Sequence, residues 1–189
     1  CYDNEAYMNT GVHRSSATPP AARTATTMPT QGYDGNSFGQ GKNVPQIAMA
    51  HGIPYVATAT VADLHDLERK VMKAMSMHGA RYLHILVPCP SMTVQMARLA
   101  TQTGLFPVFE AEYGEITDVT KIRRKLPVEE YLKGQKRYAH LFGKRGNPEV
   151  IRRLQAIADR NIDKFGLVEG DDTERIPTPI EADERAHLV

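Results

Sequence analysis

The sequence has few of the features that would set it apart from an average globular protein. It contains no tryptophan and two cysteines, Cys1 and Cys89, and no apolar run reaches the roughly 20 residues that a membrane-spanning helix needs. Two cysteines argue against a disulfide framework, so a reducing cytoplasm is the expected location. The net charge is +1, with acidic and basic residues interspersed. This balance predicts neither a nucleic acid nor a membrane as partner.

The composition that is present is typical of a soluble globular domain, with 41% apolar and 24% charged residues. The opening Cys-Tyr-Asp-Asn-Glu has no basic segment and no apolar segment, so it does not resemble a signal peptide. It also lacks an initiator methionine. We therefore expect the chain to begin within a longer protein.

From Pro45 onward, short apolar runs alternate with helical patterns. Strands are predicted at 55–58, 82–87 and 106–111, and helices at 44–51, 64–78 and 91–103. Strands that alternate with helices are typical of the α/β class. We therefore predict a mostly parallel sheet flanked by helices.

The second of these helices has the clearest predicted boundaries. Thr60 and Asp63 have the spacing of a capping box, and Gly79 stands where the helix should end. Four apolar residues recur at helical spacing and predict the face that packs on the core: Leu64, Leu67, Val71 and Met75.

The last third of the chain no longer alternates between strands and helices. An edge strand is predicted at 115–119, and a helix begins at Pro127. Asn147-Pro148-Glu149 combines an N-cap residue, a proline at the first helical position and an acidic first turn, and it starts a helix that reaches about Phe165. We divide the chain into an α/β part at 1–126, a helical extension at 127–165 and an irregular tail at 166–189.

Residues 1–11 read as a strand that ends in a polar loop. Ligands of open α/β sheets bind beyond the carboxyl ends of strands. The Asn4 amide and the Ala6 carbonyl, two residues apart, are oxygen donors of the kind that Mg²⁺ prefers. Asn9 and Thr10 add polar groups suited to a diphosphate. From these residues alone, a plain turn remains the alternative.

The same segment resembles a known motif. The run Tyr-Asp-Asn-Glu-Ala-Tyr-Met-Asn-Thr-Gly at 2–11, followed by Arg-Ser-Ser-Ala-Thr-Pro at 14–19, is similar to the second half of the thiamine diphosphate motif of pyruvate:ferredoxin oxidoreductases. Segments at 50–57, 104–110 and 124–135 are also similar to that family, so the resemblance covers roughly residues 1–142 in order. It implies that the long Gly- and Pro-containing loop after residue 10 contacts the cofactor and other subunits.

Carried over residue by residue, the resemblance implies a role for five residues. Asn4 would bind Mg²⁺ through its side chain, and Ala6 through its main-chain carbonyl. Asn9 would contact the diphosphate, while Tyr7 and Thr10 would line the cofactor. The family's aspartate ligand, in a Gly-Asp-Gly segment, would precede Cys1.

Cys89 forms a second candidate site, because it stands in Pro-Cys-Pro directly after a predicted buried strand. A lone cysteine is most simply a small buried apolar residue. The resemblance implies instead that Cys89 supplies one of the four thiolates of a 4Fe–4S cluster. The family often continues with Thr-Gly-Trp where this chain has Ser91-Met-Thr93, which leaves the substrate class open.

The resemblance implies the β subunit of a 2-oxoacid:ferredoxin oxidoreductase of the pyruvate synthase type. Its expected cofactors are thiamine diphosphate, Mg²⁺ and a 4Fe–4S cluster. Its expected partners are α, γ and δ subunits, ferredoxin, coenzyme A and pyruvate. The alternatives are another 2-oxoacid (2-oxoisovalerate, an aryl 2-oxoacid or oxalate), a non-catalytic electron-transfer scaffold, or a thiamine decarboxylase without redox chemistry.

The seven histidines are assigned to structure or surface, with a substrate-facing role as the alternative for His13 and His51, which are closer to the presumed cofactor region. His84 alternates within a predicted strand, and the sequence shows no carboxylate paired with it. We therefore predict no functional role for His84.

Overall fold

A computed structural model describes residues 1–30, 34–37, 39–88, 93–143 and 146–168. Cys89 and the tail beyond residue 168 lie outside the described residues, so the predictions made for them stay predictions. The predicted helix end at Phe165 is confirmed, because the last described helix ends there and Gly166 follows in the left-handed conformation.

The described strands form one mixed sheet in the order β1-β3-β2-β4-β5. They are β1 (Tyr2–Asp3), β2 (Tyr55–Thr60), β3 (Arg81–Leu86), β4 (Phe109–Glu112) and β5 (Glu115–Val119). The first three strands are parallel to one another, whereas β4 runs antiparallel to β2 and to β5. The predicted α/β class is confirmed.

The antiparallel pair β4–β5 follows from the two residues that join it. Tyr113 and Gly114 both have positive φ, at 50° and 90°. Two-residue hairpin loops favour this conformation, because its twist matches that of the flanking strands. The predicted edge strand at 115–119 is confirmed by β5.

Helices cover both faces of the sheet. They are α1 (Val44–Ala50), α2 (Leu64–Ser76), α3 (Thr93–Gln102), α4 (Val128–Lys133) and α5 (Pro148–Phe165), with a 3₁₀ helix at Lys136–Leu141. Asn147 caps α5 by accepting a hydrogen bond from the Glu149 N–H at 3.2 Å, as its position in the sequence predicts. No helix in the ranges listed above is both long and apolar enough to cross a membrane.

Helix α2 corrects two predictions. Asp63, not Thr60, is its N-cap, with the Asp63 carboxylate accepting the Asp66 N–H at 3.0 Å. The predicted core face is also wrong, because Leu64 and Met75 are 67% and 73% exposed. Lys70 and Ala74 are buried instead. The helix turns its charged side to the sheet because Lys70 and its neighbours find buried oxygen partners there.

Because residues alternate along a strand, β2 contributes to two cores. Tyr55 and Ala57 pack with Ala74 of α2 on one face. Val56 packs on the other face in a cluster with Ile162 and Phe165 of α5 and residues of β4. Helix α5 thereby covers the face of the sheet on which the candidate site lies.

Candidate functional site

The parallel strands bring two loops of interest to the same edge of the sheet. Asp3 at the end of β1 is in register with Leu86 at the end of β3. Beyond these residues, the Val87 N–H still donates to the Asp3 carbonyl at 2.8 Å. The loop that starts at Asn4 and the segment that leads toward Cys89 therefore leave the sheet side by side.

The Asn4 loop turns sharply at Glu5, which has a positive φ of 64°. This turn places the Ala6 N–H 3.3 Å from the amide oxygen of Asn4, to which it donates. Asn4 and Ala6 are both partly exposed. Within the described residues, nothing donates to the Ala6 carbonyl oxygen. The structure thus brings the Asn4 oxygen next to the backbone of Ala6.

The remaining predicted site residues form a small hairpin. Tyr7 and His13 exchange backbone hydrogen bonds of 3.0 and 3.1 Å, and Asn9 and Thr10 lie exposed between them. The Thr10 hydroxyl donates to the Tyr7 carbonyl at 3.2 Å. Tyr7, Asn9 and Thr10 therefore lie together on an exposed tip that follows the Asn4 turn.

The donor atoms of this loop suit a magnesium ion bridged to a diphosphate. Amide and carbonyl oxygens are hard ligands, and Mg²⁺ is usually held by a few protein oxygens together with phosphate and water. No group of three or more His, Cys, Asp or Glu side chains in the described ranges is placed to hold a metal. The Asn4 amide oxygen and the Ala6 carbonyl oxygen are the candidate metal donors of this loop.

Asp3 and His84 form a pair that the sequence analysis missed. His84 is buried, and its Nε2 lies 3.0 Å from the Asp3 carboxylate while its Nδ1 lies 2.9 Å from the Tyr82 hydroxyl. A carboxylate only accepts hydrogen bonds, so Nε2 carries a proton. The prediction that His84 has no paired carboxylate is wrong. Only the pairing of β1 with β3 could have revealed Asp3 as its partner.

These contacts also determine the charge state of Asp3. Burial by itself raises the pKa of this carboxyl group. The hydrogen bonds from His84 and from the Glu5 N–H, the latter 2.7 Å long, outweigh burial and lower the pKa below its usual value. Asp3 is therefore a carboxylate at the end of β1, directly before the Asn4 turn.

Glu5 joins the loop to the C-terminal part of the chain. Its carboxylate forms an ion pair with the Arg137 guanidinium and lies 3.4 Å from the Tyr131 hydroxyl. Its backbone carbonyl accepts a 2.7 Å hydrogen bond from the buried Thr18 hydroxyl. Burial raises the pKa of Tyr131, and the charge of Glu5 raises it further.

A cavity of about 200 Å³ lies between the sheet, the loop and the C-terminal helices. Asp3, Glu5, His84 and Tyr131 line it, together with apolar residues such as Phe106. Asn4 and Ala6 are not among its lining residues. Alternate residues of the loop therefore have different surroundings: Asp3 and Glu5 border the cavity, whereas Asn4 and Ala6 do not.

The chain is similar to curated subunits of pyruvate synthases and of a ketoisovalerate oxidoreductase, while no protein-family model matches it. The pyruvate synthase subunit PorB of Methanosarcina barkeri is 49% identical over 174 residues, which cover 88% of this chain and 58% of that subunit. PorB of Methanocaldococcus jannaschii is 44% identical, over 88% of this chain and 56% of the subunit. The ketoisovalerate oxidoreductase subunit VorB of Pyrococcus abyssi is 42% identical, over 74% of this chain and 48% of that subunit.

The chain thus spans about half the length of the curated relatives that it matches. The similarity to the PorB subunits includes most of the described strands and helices, because it extends over 88% of the chain in both cases. The chain belongs to the family of the pyruvate synthase subunit PorB.

Proposed function

We propose that the protein containing this chain is the thiamine-diphosphate-binding β subunit of a pyruvate:ferredoxin oxidoreductase. The enzyme would convert pyruvate and coenzyme A to acetyl-CoA and CO₂, with electrons passed to ferredoxin, or run in reverse. The family membership supports this reaction. The observation that carries the proposal is the Asn4 turn at the carboxyl edge of the sheet, where the Asn4 oxygen lies beside the backbone of Ala6.

In this proposal, Asn4 and Ala6 hold Mg²⁺ through the amide and carbonyl oxygens, and Asn9, Tyr7 and Thr10 contact the diphosphate from the exposed hairpin. Bound thiamine diphosphate supplies the carbanion chemistry that cleaves a 2-oxoacid, and the protein supplies binding and orientation. The Thr10 hydroxyl donates within the loop. To donate to a phosphate oxygen instead, it would have to rotate away from the Tyr7 carbonyl.

We further propose that Cys89 is a ligand of a 4Fe–4S cluster. Its support is the Pro-Cys-Pro segment and the position of Val87, whose N–H is bonded to Asp3 beside the Asn4 turn. Electron transfer out of the site requires a cluster close to the cofactor, and the described segment that precedes Cys89 lies beside the Asn4 turn.

Iron content tests this ligand. We expect Cys89→Ser to remove the iron and the visible absorbance of one cluster from the assembled enzyme, because a 4Fe–4S cluster needs four thiolates. Cys1→Ser is the control, since Cys1 is an exposed free cysteine. Equal iron contents in the two variants would exclude Cys89 as a ligand.

The PorB relatives are named as subunits, which supports an assembly of several chains. We propose α, γ and δ subunits as its partners, ferredoxin as the electron acceptor and the cytoplasm as its location.

Reduction of a viologen dye tests the function. The full-length subunit, assembled with its partners, should reduce the dye with pyruvate, coenzyme A, Mg²⁺ and thiamine diphosphate, and lose this activity when the thiamine cofactor is omitted. An enzyme that reduces the dye equally well without the cofactor, or not at all with any 2-oxoacid, would refute the proposal.

Asn4→Ala should raise the Mg²⁺ concentration needed for half-maximal cofactor binding at least about tenfold. Metal affinity falls by this much even when a residue that only orients a metal ligand is replaced. Asn147→Ala is a matched control, because the Asn147 side chain likewise accepts a backbone N–H two residues along the chain, from Glu149 at 3.2 Å, but caps α5. Isothermal titration of the assembled enzyme with thiamine diphosphate measures both variants.

The match to VorB supports a second candidate substrate, 2-oxoisovalerate, since that relative is named for a ketoisovalerate oxidoreductase. The same dye assay with the two acids in parallel separates the candidates. A higher kcat/KM for 2-oxoisovalerate would assign the enzyme to the branched-chain substrate.

A further inference from the structure

Glu5 lies between the two proposed magnesium ligands, Asn4 and Ala6. It contacts residues near the start of the chain and Arg137 in its C-terminal part. We propose that Arg137, in the C-terminal helical extension, positions the Asn4–Ala6 turn for magnesium and diphosphate through the carboxylate of Glu5. This inference rests on the proposed function of the turn. Arg137 is a positioning residue here, because it touches Glu5 and neither proposed ligand.

The turn needs such support because of the backbone conformation of Glu5. Its φ of 64° lies in the left-handed region, which a residue with a Cβ rarely adopts without compensation. This conformation brings the Ala6 N–H to the Asn4 amide oxygen. If Glu5 relaxed to a negative φ, the Asn4 oxygen and the Ala6 carbonyl would change their relative orientation.

All the polar groups of Glu5 have partners. Its N–H donates to the Asp3 carboxylate at 2.7 Å, and its carbonyl accepts from the Thr18 hydroxyl at 2.7 Å. Its carboxylate pairs with Arg137, and the two side chains are only 17% and 13% exposed. A charge pair so well shielded from water holds its geometry more firmly than a surface pair.

Arg137 is itself held independently of Glu5. Its backbone carbonyl accepts the Arg23 N–H at 2.9 Å, and its guanidinium lies 5.1 Å from the centre of the Tyr138 ring. Tyr138 is buried in the cluster that α4, α5 and α3 share. The C-terminal extension thus presents a fixed cation to the Glu5 carboxylate, while the Asn4 amide oxygen and the Ala6 N–H are joined to each other within the turn.

The test measures the Mg²⁺ dependence of thiamine diphosphate binding to the assembled, full-length enzyme. We expect Arg137→Met to raise the Mg²⁺ concentration for half-maximal binding about 10- to 100-fold, the range found when a group that orients a metal ligand is removed. Arg137→Lys should recover part of this loss, because it keeps the charge. Arg153→Met is the control, since the Arg153 side chain is 71% exposed.

A second variant covers the case in which Arg137→Met does not fold because it leaves the Glu5 charge buried without a partner. The double variant Glu5→Gln, Arg137→Met removes both charges and keeps similar side-chain volumes. It should fold and show the same raised Mg²⁺ requirement. A folded double variant with the wild-type requirement would overturn the inference.

Hydrogen exchange without cofactor separates this inference from the proposed function. The peptide spanning residues 2–13 should exchange faster in the Arg137 variants than in the wild type, whereas Arg153→Met should leave it unchanged. If the wild type binds the cofactor and neither exchange nor Mg²⁺ requirement changes, the positioning role fails and the proposed function stands. If the wild type binds no thiamine diphosphate at any Mg²⁺ concentration, the proposed function fails, and the cofactor role of Arg137 fails with it.

Discussion

Glu110 shows at the residue scale how a buried carboxylate stays charged in this fold. It is fully buried on β4, and its carboxylate accepts hydrogen bonds from Lys73 at 2.9 Å, from the Tyr55 hydroxyl at 2.7 Å and from Arg69. Burial by itself raises the pKa of Glu110, but these three donors outweigh it and lower the pKa to about 2. Burial and the neighbouring Glu110 charge in turn raise the pKa of Tyr55.

The lowered pKa makes stability depend on pH in a defined window. Because the folded pKa lies below the usual 4.5, ionised Glu110 stabilises the fold above about pH 4.5, and this contribution is lost as the pH falls toward 2. Its size is on the order of 3 kcal/mol. We expect Glu110→Gln to lower the free energy of unfolding at pH 7 and to flatten its pH dependence in this window, as measured by urea denaturation from pH 2 to 7.

Glu112→Gln is the matched control for this measurement. Glu112 also contacts Lys73, at 2.9 Å, but its side chain is 32% exposed. We expect this variant to lower the free energy of unfolding at pH 7 less than Glu110→Gln does, because the Glu112 side chain is partly exposed to water. If the free energy of unfolding of Glu110→Gln varies with pH in the same way as that of the wild type, the pKa of Glu110 is not lowered as expected.

At the scale of single elements, α2 is an amphipathic helix that faces the opposite way from its apolar pattern. The Lys70 ammonium group is buried and donates to the Thr58 carbonyl at 2.9 Å and to Asp66 at 2.7 Å. Arg69 and Lys73 reach Glu110 from the same helix. Ion pairs and a hydrogen bond to a backbone carbonyl therefore direct Arg69, Lys70 and Lys73 toward the sheet. The pattern of apolar residues along the helix cannot indicate such polar contacts.

Two neighbouring substitutions test this orientation. Met75→Gln should change the free energy of unfolding of the subunit by no more than about 0.5 kcal/mol, because Met75 is 73% exposed. Ala74→Gln should cost about 1–3 kcal/mol, because Ala74 packs against Tyr55 and a larger side chain must displace its neighbours. Thermal denaturation of the two variants measures the difference in their free energies of unfolding. A larger loss for Met75→Gln than for Ala74→Gln would show that the apolar face predicted from the sequence is the one that packs on the core.

At the scale of the whole molecule, the C-terminal helices hold segments from distant parts of the chain. Leu154 and Ala158 of α5 belong to a buried cluster that includes Ala22 of the long loop and Leu86 of β3. Asn147 donates to the Asp34 carboxylate at 2.7 Å, so the start of α5 also binds the loop. The described part of the long loop is thus attached to the extension, and the cofactor loop shares this support through Glu5.

The sequence by itself determined the elements whose signals are local. The Asn147 cap, the end of α5 at Phe165 and the strand at 115–119 follow from neighbouring residues, and so does the polar loop with Asn4 after a strand. Each of these depends on interactions a few residues apart, which sequence patterns record directly.

Only the tertiary structure decided which residues meet across the fold. The Asp3–His84 pair needs β1 beside β3, the face of α2 depends on Glu110 from a later strand, and Glu5 meets an arginine 132 residues away. The physical reason is the same in each case. A buried charge requires a partner, and the partner's position along the chain is set by how the strands and helices pack, not by spacing in the sequence.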